Sequence, residues 1–121
     1  MKADHLQHGE EAEQQALDYL NRRGLKLIER NYRCKAGEID LIMQERDALI
    51  FVEVRYRQSR DFGSALESVT PRKQRKLLAA ANQYLQAKQK DQPCRFDVVA
   101  LNGSGHPRME WIKNAFQSGW S

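Results

Sequence analysis

Two segments of the chain carry apolar residues at the spacing of one helical face. The apolar positions are Ala12, Ala16, Leu17 and Leu20 in the first segment, and Leu77, Leu78, Ala81, Tyr84 and Leu85 in the second. Gly24 follows the first segment, where a glycine often ends a helix. Thr70 and Pro71 open the second segment with a capping hydroxyl and a residue suited to a first turn. The pattern predicts helices over residues 8–23 and 70–88.

Five shorter segments have the composition of strands and are separated by turn residues. They cover residues 25–33, 38–44, 48–57, 95–101 and 108–113. Short turns join the first three, which indicates an antiparallel meander. The helix before the fourth strand predicts a crossover that lays this strand parallel to the third. We therefore expect one α/β domain over residues 1–121, in the order αβββαββ, with a mixed sheet and a helix on each side.

In two segments, the apolar residues show neither helical nor strand periodicity. Residues 58–69 contain small polar residues and are expected to form a mobile loop beside the candidate site. Residues 114–120 follow the last predicted strand and are expected to form a tail.

Acidic residues interrupt two of the predicted strands. Asp40 lies in the second strand and Glu53 in the third, both within apolar runs. Because residues two apart in a strand share a face, Glu53 and Arg55 lie on the face of Leu49 and Phe51. Charges in such a strand are costly unless they are paired, bind a metal or line a cleft.

If these two strands form a hairpin, Asp40 comes near Glu53 on the neighbouring strand. Two carboxylates and a cation are what a phosphodiesterase site that uses a divalent metal requires. The acids hold Mg²⁺, the metal activates water and neutralises the phosphate, and the cation supports the developing charge. The residues alone leave an alternative open, in which the acids lie on an edge strand or form a buried ion pair with Arg55.

Charged residues on the two predicted helices allow two interpretations. Four cations, Arg72, Lys73, Arg75 and Lys76, crowd the start of the second helix, where they oppose the helix dipole. They either contact a partner such as phosphate or form an ordinary solvated face. Glu13 lies at the edge of the apolar stripe of the first helix, as a site residue or as an acid that favours the dipole.

Charge and cysteine content narrow the class of protein only slightly. The net charge of +4 in 121 residues is compatible with nucleic acid binding and equally with an ordinary surface. Cys34 and Cys94 form no CxxC motif and have no zinc-site spacing, so free thiols in a reducing compartment are expected. The sequence has no apolar run typical of a signal peptide or a membrane span, and a cytoplasmic location is expected.

The combination of motifs resembles the YraN family of bacterial proteins. The matching positions are Gly9, Glu13, Ala16, Tyr19, Leu20, Gly24, Arg30-Asn31-Tyr32-Arg33, Gly37-Glu38-Ile39-Asp40-Leu41-Ile42, Phe51-Val52-Glu53-Val54-Arg55-Tyr56-Arg57, Phe62-Gly63, Lys73, Arg95-Phe96-Asp97-Val98-Val99 and Asn114-Ala115-Phe116. This family is related to archaeal Holliday junction resolvases, within the PD-(D/E)XK nuclease superfamily. The resemblance implies the restriction-endonuclease-like fold.

The resemblance also implies roles for individual residues. Asp40 and Glu53 are similar to the metal-binding carboxylates of the superfamily, to which the carbonyl of Val54 adds a ligand. Glu13 is similar to the helix acid that completes the metal site in related resolvases. Arg55 stands where the superfamily usually has lysine, and arginine is not deprotonated in proteins. Lys73 is a candidate substitute from the next helix.

The function implied is an endonuclease that uses Mg²⁺ or Mn²⁺ to cut DNA, with branched or junction DNA as one candidate substrate. Arg55 would stabilise the charge on the phosphate. The residues expected to hold flanking phosphates are Arg57, Arg72, Lys73, Arg75 and Lys76. One alternative is a nucleic-acid-binding module that kept the fold and lost turnover, and a weaker one is a protein-interaction domain. By analogy with junction resolvases, a homodimer is expected.

Overall fold

The computed structural model describes residues 2–58, 64–103 and 105–116. The helices are α1 (Lys2–Arg22), α2 (Ser64–Glu67) and α3 (Pro71–Ala87), and the strands are β1 (Lys26–Cys34), β2 (Gly37–Glu45), β3 (Ala48–Arg57), β4 (Cys94–Asn102) and β5 (Arg108–Phe116). The long helices and all the strands lie where the sequence pattern predicts them, although α1 begins earlier than residue 8. Among these helices, none has an apolar stretch long enough to cross a membrane.

The five strands form one mixed sheet in the order β1-β2-β3-β4-β5. Neighbouring strands are antiparallel except β3 and β4, which are parallel and are connected through α3. This confirms the predicted meander and the predicted crossover. The architecture is consistent with the restriction-endonuclease-like fold that the resemblance implies.

The central strands are buried on both faces because α1 and α3 cover opposite sides of the sheet. Leu49 and Phe51 of β3 pack in the cluster of α3, while Ile50 and Val52 pack in the cluster of α1. Tyr84 of α3 is 2% exposed and makes edge-to-face contacts with the rings of Tyr32 and Phe51. Burying one such large side chain contributes roughly 1.5–3 kcal/mol to folding. These contacts fix the position of both helices over β2 and β3.

Capping residues mark the start of α3 and the end of α1. The hydroxyl of Thr70 accepts a hydrogen bond from the backbone N–H of Lys73 at 3.2 Å, and Pro71 is the first helical residue of α3. Gly24 follows α1 with φ of 96°, a left-handed conformation that costs glycine little. The predicted caps at Thr70 and Gly24 are therefore confirmed.

The prediction of a mobile loop over residues 58–69 is wrong for its second half. Ser64–Glu67 form α2, and Ala65 and Val69 are buried. The backbone N–H of Ala65 donates to the side-chain oxygen of buried Asn102 at 2.9 Å, which ties α2 to the end of β4. A single turn is too short to show helical periodicity, so the sequence pattern could not reveal it. The first part of the predicted loop, residues 59–63, lies outside the described residues.

The predicted tail begins too early, because β5 continues to Phe116. The ring of Phe116 stacks on that of Phe96, with centroids 5.2 Å apart. Asn114 has φ of 54°, and the pairing of β4 with β5 shifts register between Phe96 and Val98. This irregularity breaks the alternation of apolar and polar residues, which explains the misplaced end of the strand. Residues 117–120 of the predicted tail lie outside the described residues.

Candidate active site

The strands β2 and β3 stop pairing at the point where the sequence places its two acids. Their pairing runs from Glu45↔Ala48 to Leu41↔Val52, and the next residues are Asp40 and Glu53. We call this point the fork. At the fork, the backbone N–H of Val54 donates to Oδ2 of Asp40 at 2.8 Å. A side chain therefore holds the two strands together where the ladder ends.

The backbone of β2 is irregular at the fork. Ile39 packs in the cluster on the α3 face and Leu41 in the cluster on the α1 face, although two residues apart in a regular strand share a face. Asp40 lies at this irregular point, next to Glu53 and hydrogen-bonded to the backbone of Val54.

The two carboxylates of the fork repel each other, because they lie close together and are largely shielded by the protein. Glu53 is 9% exposed and Asp40 is partly buried. Burial raises the pKa of Asp40 well above its usual value, and the neighbouring charge of Glu53 raises it further. The N–H of Val54 lowers this pKa, but does not offset the other effects. Such a pair favours either a shared proton or a bound cation.

The donor set of the fork suits a hard divalent cation. Carboxylate oxygens are the ligands that Mg²⁺ and Mn²⁺ prefer, and Mg²⁺ often uses only one or two of them. Across residues 2–58, 64–103 and 105–116, no group of three acidic, histidine or cysteine side chains converges to hold a metal. Asp40 and Glu53 thus form a pair, to which Glu13 contributes a weaker repulsion that also raises the pKa of Asp40.

Arg55 is held beside the pair by contacts on two sides. Its Nη1 lies 3.1 Å from Oε2 of Glu53, and its Nε donates to the hydroxyl of Ser68 at 2.7 Å. The Ser68 hydroxyl donates in turn to the carbonyl of Ala65 at 2.6 Å, so its oxygen is left to accept from Arg55. The ion pair between Glu53 and Arg55 is therefore present, and it lies next to Asp40. The ion pair of Glu53 with Arg55 and the pair of carboxylates, Asp40 and Glu53, are therefore parts of one cluster.

Glu13 reaches the same region from α1. Its Oε1 accepts hydrogen bonds from Arg30 Nε at 3.2 Å, Arg30 Nη2 at 3.0 Å and Asn31 Nδ2 at 3.1 Å. Glu13 and Asp40 line one cleft. The structure thus brings Glu13 to the rim of the site, held by groups of β1.

Two open clefts meet at the fork. The larger, about 870 Å³, lies on the side of α1 and includes Glu13, Asn31 and Arg57 in its wall. The smaller, about 260 Å³, lies on the side of α3 and includes Glu53, Lys73 and Lys76. The residues that line both clefts are Glu38, Asp40, Val54 and Arg55. The predicted site is therefore accessible from both faces of the sheet.

Only some of the predicted phosphate contacts lie at the clefts. Lys73 and Lys76 share the smaller cleft with Asp40 and Glu53, and Arg57 lines the larger one. Arg72 and Arg75 are exposed on α3 and line neither of these clefts.

Gly37 allows the first turns of α3 to lie close to β2. A Cβ atom built on Gly37 would lie 3.3 Å from the carbonyl oxygen of Lys76 and 3.5 Å from its Cβ. The absence of a side chain at position 37 thus allows the backbone at Lys76 to pack closely against β2.

Comparison with known proteins decides the family. The sequence profile of the Uncharacterised protein family UPF0102 matches residues 12–101. The chain belongs to the UPF0102 family. A UPF0102 protein of Nitrosococcus oceani is 50% identical over 118 residues, which cover 95% of each chain. UPF0102 proteins of Pseudomonas entomophila and Herminiimonas arsenicoxydans are 52% and 51% identical, and the alignments cover 90% and 91% of this chain and 92% and 86% of the relatives.

UPF0102 is the YraN family, so the resemblance stated from the motifs is confirmed. The names of these relatives state no activity.

The sequence pattern does not identify every residue that lines or supports the candidate site. Ser68 lies in the segment without periodicity, and no local signal distinguishes it. Arg30 and Asn31 belong to a quoted motif, but their contact with Glu13 depends on how α1 packs over β1. One signal was available: asparagine is uncommon inside strands and tolerates the left-handed conformation, and Asn31 has φ of 53°.

Asp97, another acid in a motif of the UPF0102 sequence, has a structural role. It is 0% exposed and accepts hydrogen bonds from Arg95 Nε and Nη2, Trp111 Nε1 and the backbone N–H of Asn114, at 2.8, 2.9, 2.8 and 3.0 Å. These donors compensate its charge and join β4 to β5.

Proposed function

We propose that this UPF0102 protein is a metal-dependent endonuclease that hydrolyses phosphodiester bonds in DNA. The observation that carries the proposal is the pair of carboxylates, Asp40 and Glu53, at the fork of β2 and β3, with the guanidinium of Arg55 fixed beside it. An acidic pair next to a fixed cation, in an open cleft, matches the needs of phosphodiester hydrolysis. Branched or junction DNA is the substrate that the resemblance to junction resolvases favours.

Each group of the fork has a defined task in this proposal. Asp40 and Glu53 would hold Mg²⁺ or Mn²⁺, which when bound supplies an activated water and neutralises charge on the phosphate. Val54 keeps Asp40 aligned through its backbone N–H. Arg55 provides a permanent positive charge for the phosphate, and Ser68 and Glu53 restrict its rotation.

Basic residues around the clefts would position the DNA without reading its sequence. Lys73 and Lys76 on the α3 side and Arg57 on the α1 side lie close enough to the fork to contact phosphates that flank the cut. Arg72 and Arg75 would extend this contact along the exposed start of α3. Binding through such contacts weakens steeply with salt.

A second candidate function is a nucleic-acid-binding module without turnover. The observation that favours it is Arg55 at the position of the usual lysine, engaged with Glu53 at 3.1 Å. A guanidinium keeps its proton, so a reaction that needs a titrating amine at this position cannot proceed. The nuclease proposal requires only a fixed charge there.

Cleavage of labelled DNA separates the two candidates. A four-way junction and linear duplexes are incubated with Mg²⁺ or Mn²⁺ and with wild type, Asp40→Ala, Glu53→Ala or Arg55→Lys. We expect wild type to cut, and both acid variants to lose cutting. Asp91→Ala, which changes an exposed acid in the loop after α3, serves as the matched control and should retain activity.

Two results of this experiment would contradict the nuclease proposal. Cutting that appears only in Arg55→Lys would overturn the nuclease proposal in favour of the binding module. Cutting that persists in Asp40→Ala would show that the activity does not belong to the fork.

We also propose a cytoplasmic location and a homodimer. Both Cys34 and Cys94 are free thiols, which a reducing compartment preserves. A dimer would supply two sites for the two symmetric strands of a junction. Analytical ultracentrifugation, with and without junction DNA, tests the dimer directly, and a monomer in both samples would contradict it.

A further inference from the structure

The carboxylate of Glu13 is bonded asymmetrically. Its Oε1 accepts from Arg30 Nε, Arg30 Nη2 and Asn31 Nδ2, whereas its Oε2 accepts from no group of the described residues. The side chain is only 14% exposed. A partly buried carboxylate oxygen without a donor has acceptor capacity left for a ligand. The cleft that Glu13 lines is the one it shares with Asp40.

Arg30 is fixed by more than one residue of α1. Besides its bonds to Glu13, its Nη1 donates to Oε1 of Gln14 at 3.0 Å. The amide of Gln14 donates to Oδ1 of Asp18 at 2.9 Å, which fixes the orientation of the amide. One guanidinium therefore holds two consecutive side chains of α1. This arrangement restricts the rotation of Glu13 far more than a simple surface ion pair would.

Asn31 connects Glu13 to the fork through its place in the sheet. Arg30 pairs with Leu41 and Tyr32 pairs with Ile39 across β1 and β2. Asn31 and Asp40 are the residues between these pairs, so they lie opposite each other on neighbouring strands. The left-handed backbone of Asn31, with φ of 53°, accompanies the bond from its amide to Glu13.

We propose that Arg30 and Asn31 are positioning residues that set Glu13 for a cation held at the fork. They bind one carboxylate oxygen and leave the other without a donor among the described residues, on a side chain that lines the same cleft as Asp40. The inference rests on the proposed metal-dependent function, since it assigns these residues to the same site. Groups that orient a metal-binding side chain typically change metal affinity by about tenfold or more when they are removed.

Asn31→Gly isolates the amide. Glycine accepts the left-handed backbone, so the change removes the side chain without strain at φ of 53°. The matched control is Asn114→Gly, because Asn114 has φ of 54°, is exposed and lies on β5, at the other edge of the sheet. Mn²⁺ binding to metal-free protein is measured by titration calorimetry. We expect about tenfold weaker binding in Asn31→Gly and unchanged binding in Asn114→Gly.

Arg30→Lys tests the second positioning residue. Lysine keeps the charge but cannot contact Glu13 through two nitrogens and Gln14 through a third. We again expect weaker Mn²⁺ binding. Thermal unfolding of the metal-free variants is measured in parallel, since a purely structural role would lower the melting temperature and leave the affinity of the folded protein unchanged. That result would overturn the inference.

A double-mutant cycle shows whether Asn31 acts through Glu13. In a Glu13→Gln background, Asn31→Gly should cause no further loss of Mn²⁺ affinity. An undiminished loss in that background, or wild-type affinity in Asn31→Gly alone, would contradict the inference. Asp40→Asn separates a failure of the metal site at the fork from a failure of the positioning role of Arg30 and Asn31. If wild type binds no Mn²⁺, or if Asp40→Asn binds it equally well, the proposed metal site fails as well.

Discussion

At the scale of single residues, buried Asp97 and partly buried Asp40 have opposite surroundings. Asp97 accepts from two nitrogens of Arg95, from Trp111 and from a backbone N–H. Asp40 accepts from the N–H of Val54 and faces the like charge of Glu53. The charge of Asp97 is compensated by the protein, whereas Asp40 leaves a deficit of positive charge that a ligand can fill.

The same substitution should therefore have opposite effects at the two sites. We expect Asp97→Asn to lower the free energy of unfolding by about 3 kcal/mol, because it breaks a buried ion pair. Asp40→Asn should raise that of the metal-free protein, since it removes a charge that burial and the neighbouring Glu53 disfavour. Urea denaturation after chelation measures both, and a loss of stability in Asp40→Asn would contradict this account.

The pH dependence of the Asp40→Asn effect follows from the raised pKa. The unfolded chain releases the proton of Asp40 at lower pH than the folded protein does. The stability of wild type therefore falls, relative to Asp40→Asn, as pH rises through this interval. The difference should be smallest in acid, where Asp40 is protonated in both states.

At the scale of elements, the single turn of α2 supports the cation of the site. Asn102 anchors its start and Ser68 follows its end, with the hydroxyl of Ser68 against Arg55. The contact joins α2 and the residues after it to β3, although the sequence of this segment shows no helical or strand periodicity. A helix this short is held by its contacts with the sheet rather than by its own propensity.

Ser68→Ala should reduce cleavage without abolishing it. Arg55 keeps its ion pair with Glu53 but loses the acceptor for Nε, so its position is less restricted. We expect a loss on the order of tenfold in kcat, given what small displacements of positioning groups cost. Ser68→Thr keeps the hydroxyl and should retain most of the activity. Equal losses in both variants would argue against a role for the hydrogen bond.

The glycines of β2 and α1 give a second test at this scale. Gly37→Ala forces a Cβ to within 3.3 Å of the Lys76 carbonyl, so we expect about 1 kcal/mol lower stability and altered DNA affinity. Gly9→Ala is the control: a Cβ there meets no atom within 4 Å, and alanine favours a helix interior by roughly 0.5–1 kcal/mol. Thermal denaturation should shift in opposite directions, and a stabilised Gly37→Ala would contradict the close approach of α3.

At the scale of the whole molecule, the fold was predictable because its signals are local. Periodicity, the cap at Thr70 and the short turns specify the elements, and the hairpin of β2 and β3 brings Asp40 to Glu53. The contact of Arg30 with Glu13 was not predictable, because it depends on where packing places α1. The exposed position of Arg72 and Arg75 likewise depends on how α3 rotates about its axis when Leu77 and Tyr84 are buried.

Salt dependence tests the predicted path of DNA over the molecule. We expect the double variant Lys73→Gln, Lys76→Gln to bind junction DNA more weakly and to reduce the slope of log affinity against log salt by about 1 for each lysine. Lys88→Gln, Lys90→Gln removes the same charge at the other end of α3 and should leave the slope unchanged. Fluorescence anisotropy at several salt concentrations measures both, and equal slopes in the two double variants would contradict the path.

The two clefts at the fork have a consequence for the kind of polymer that the site can accept. Asp40, Val54 and Arg55 line both clefts, so the reactive groups are reached from the α1 side and from the α3 side. In the proposed nuclease, a strand would enter along one face of the sheet, cross the fork and leave along the other. Such a passage requires no terminus, and a closed circle would be as good a substrate as a linear molecule.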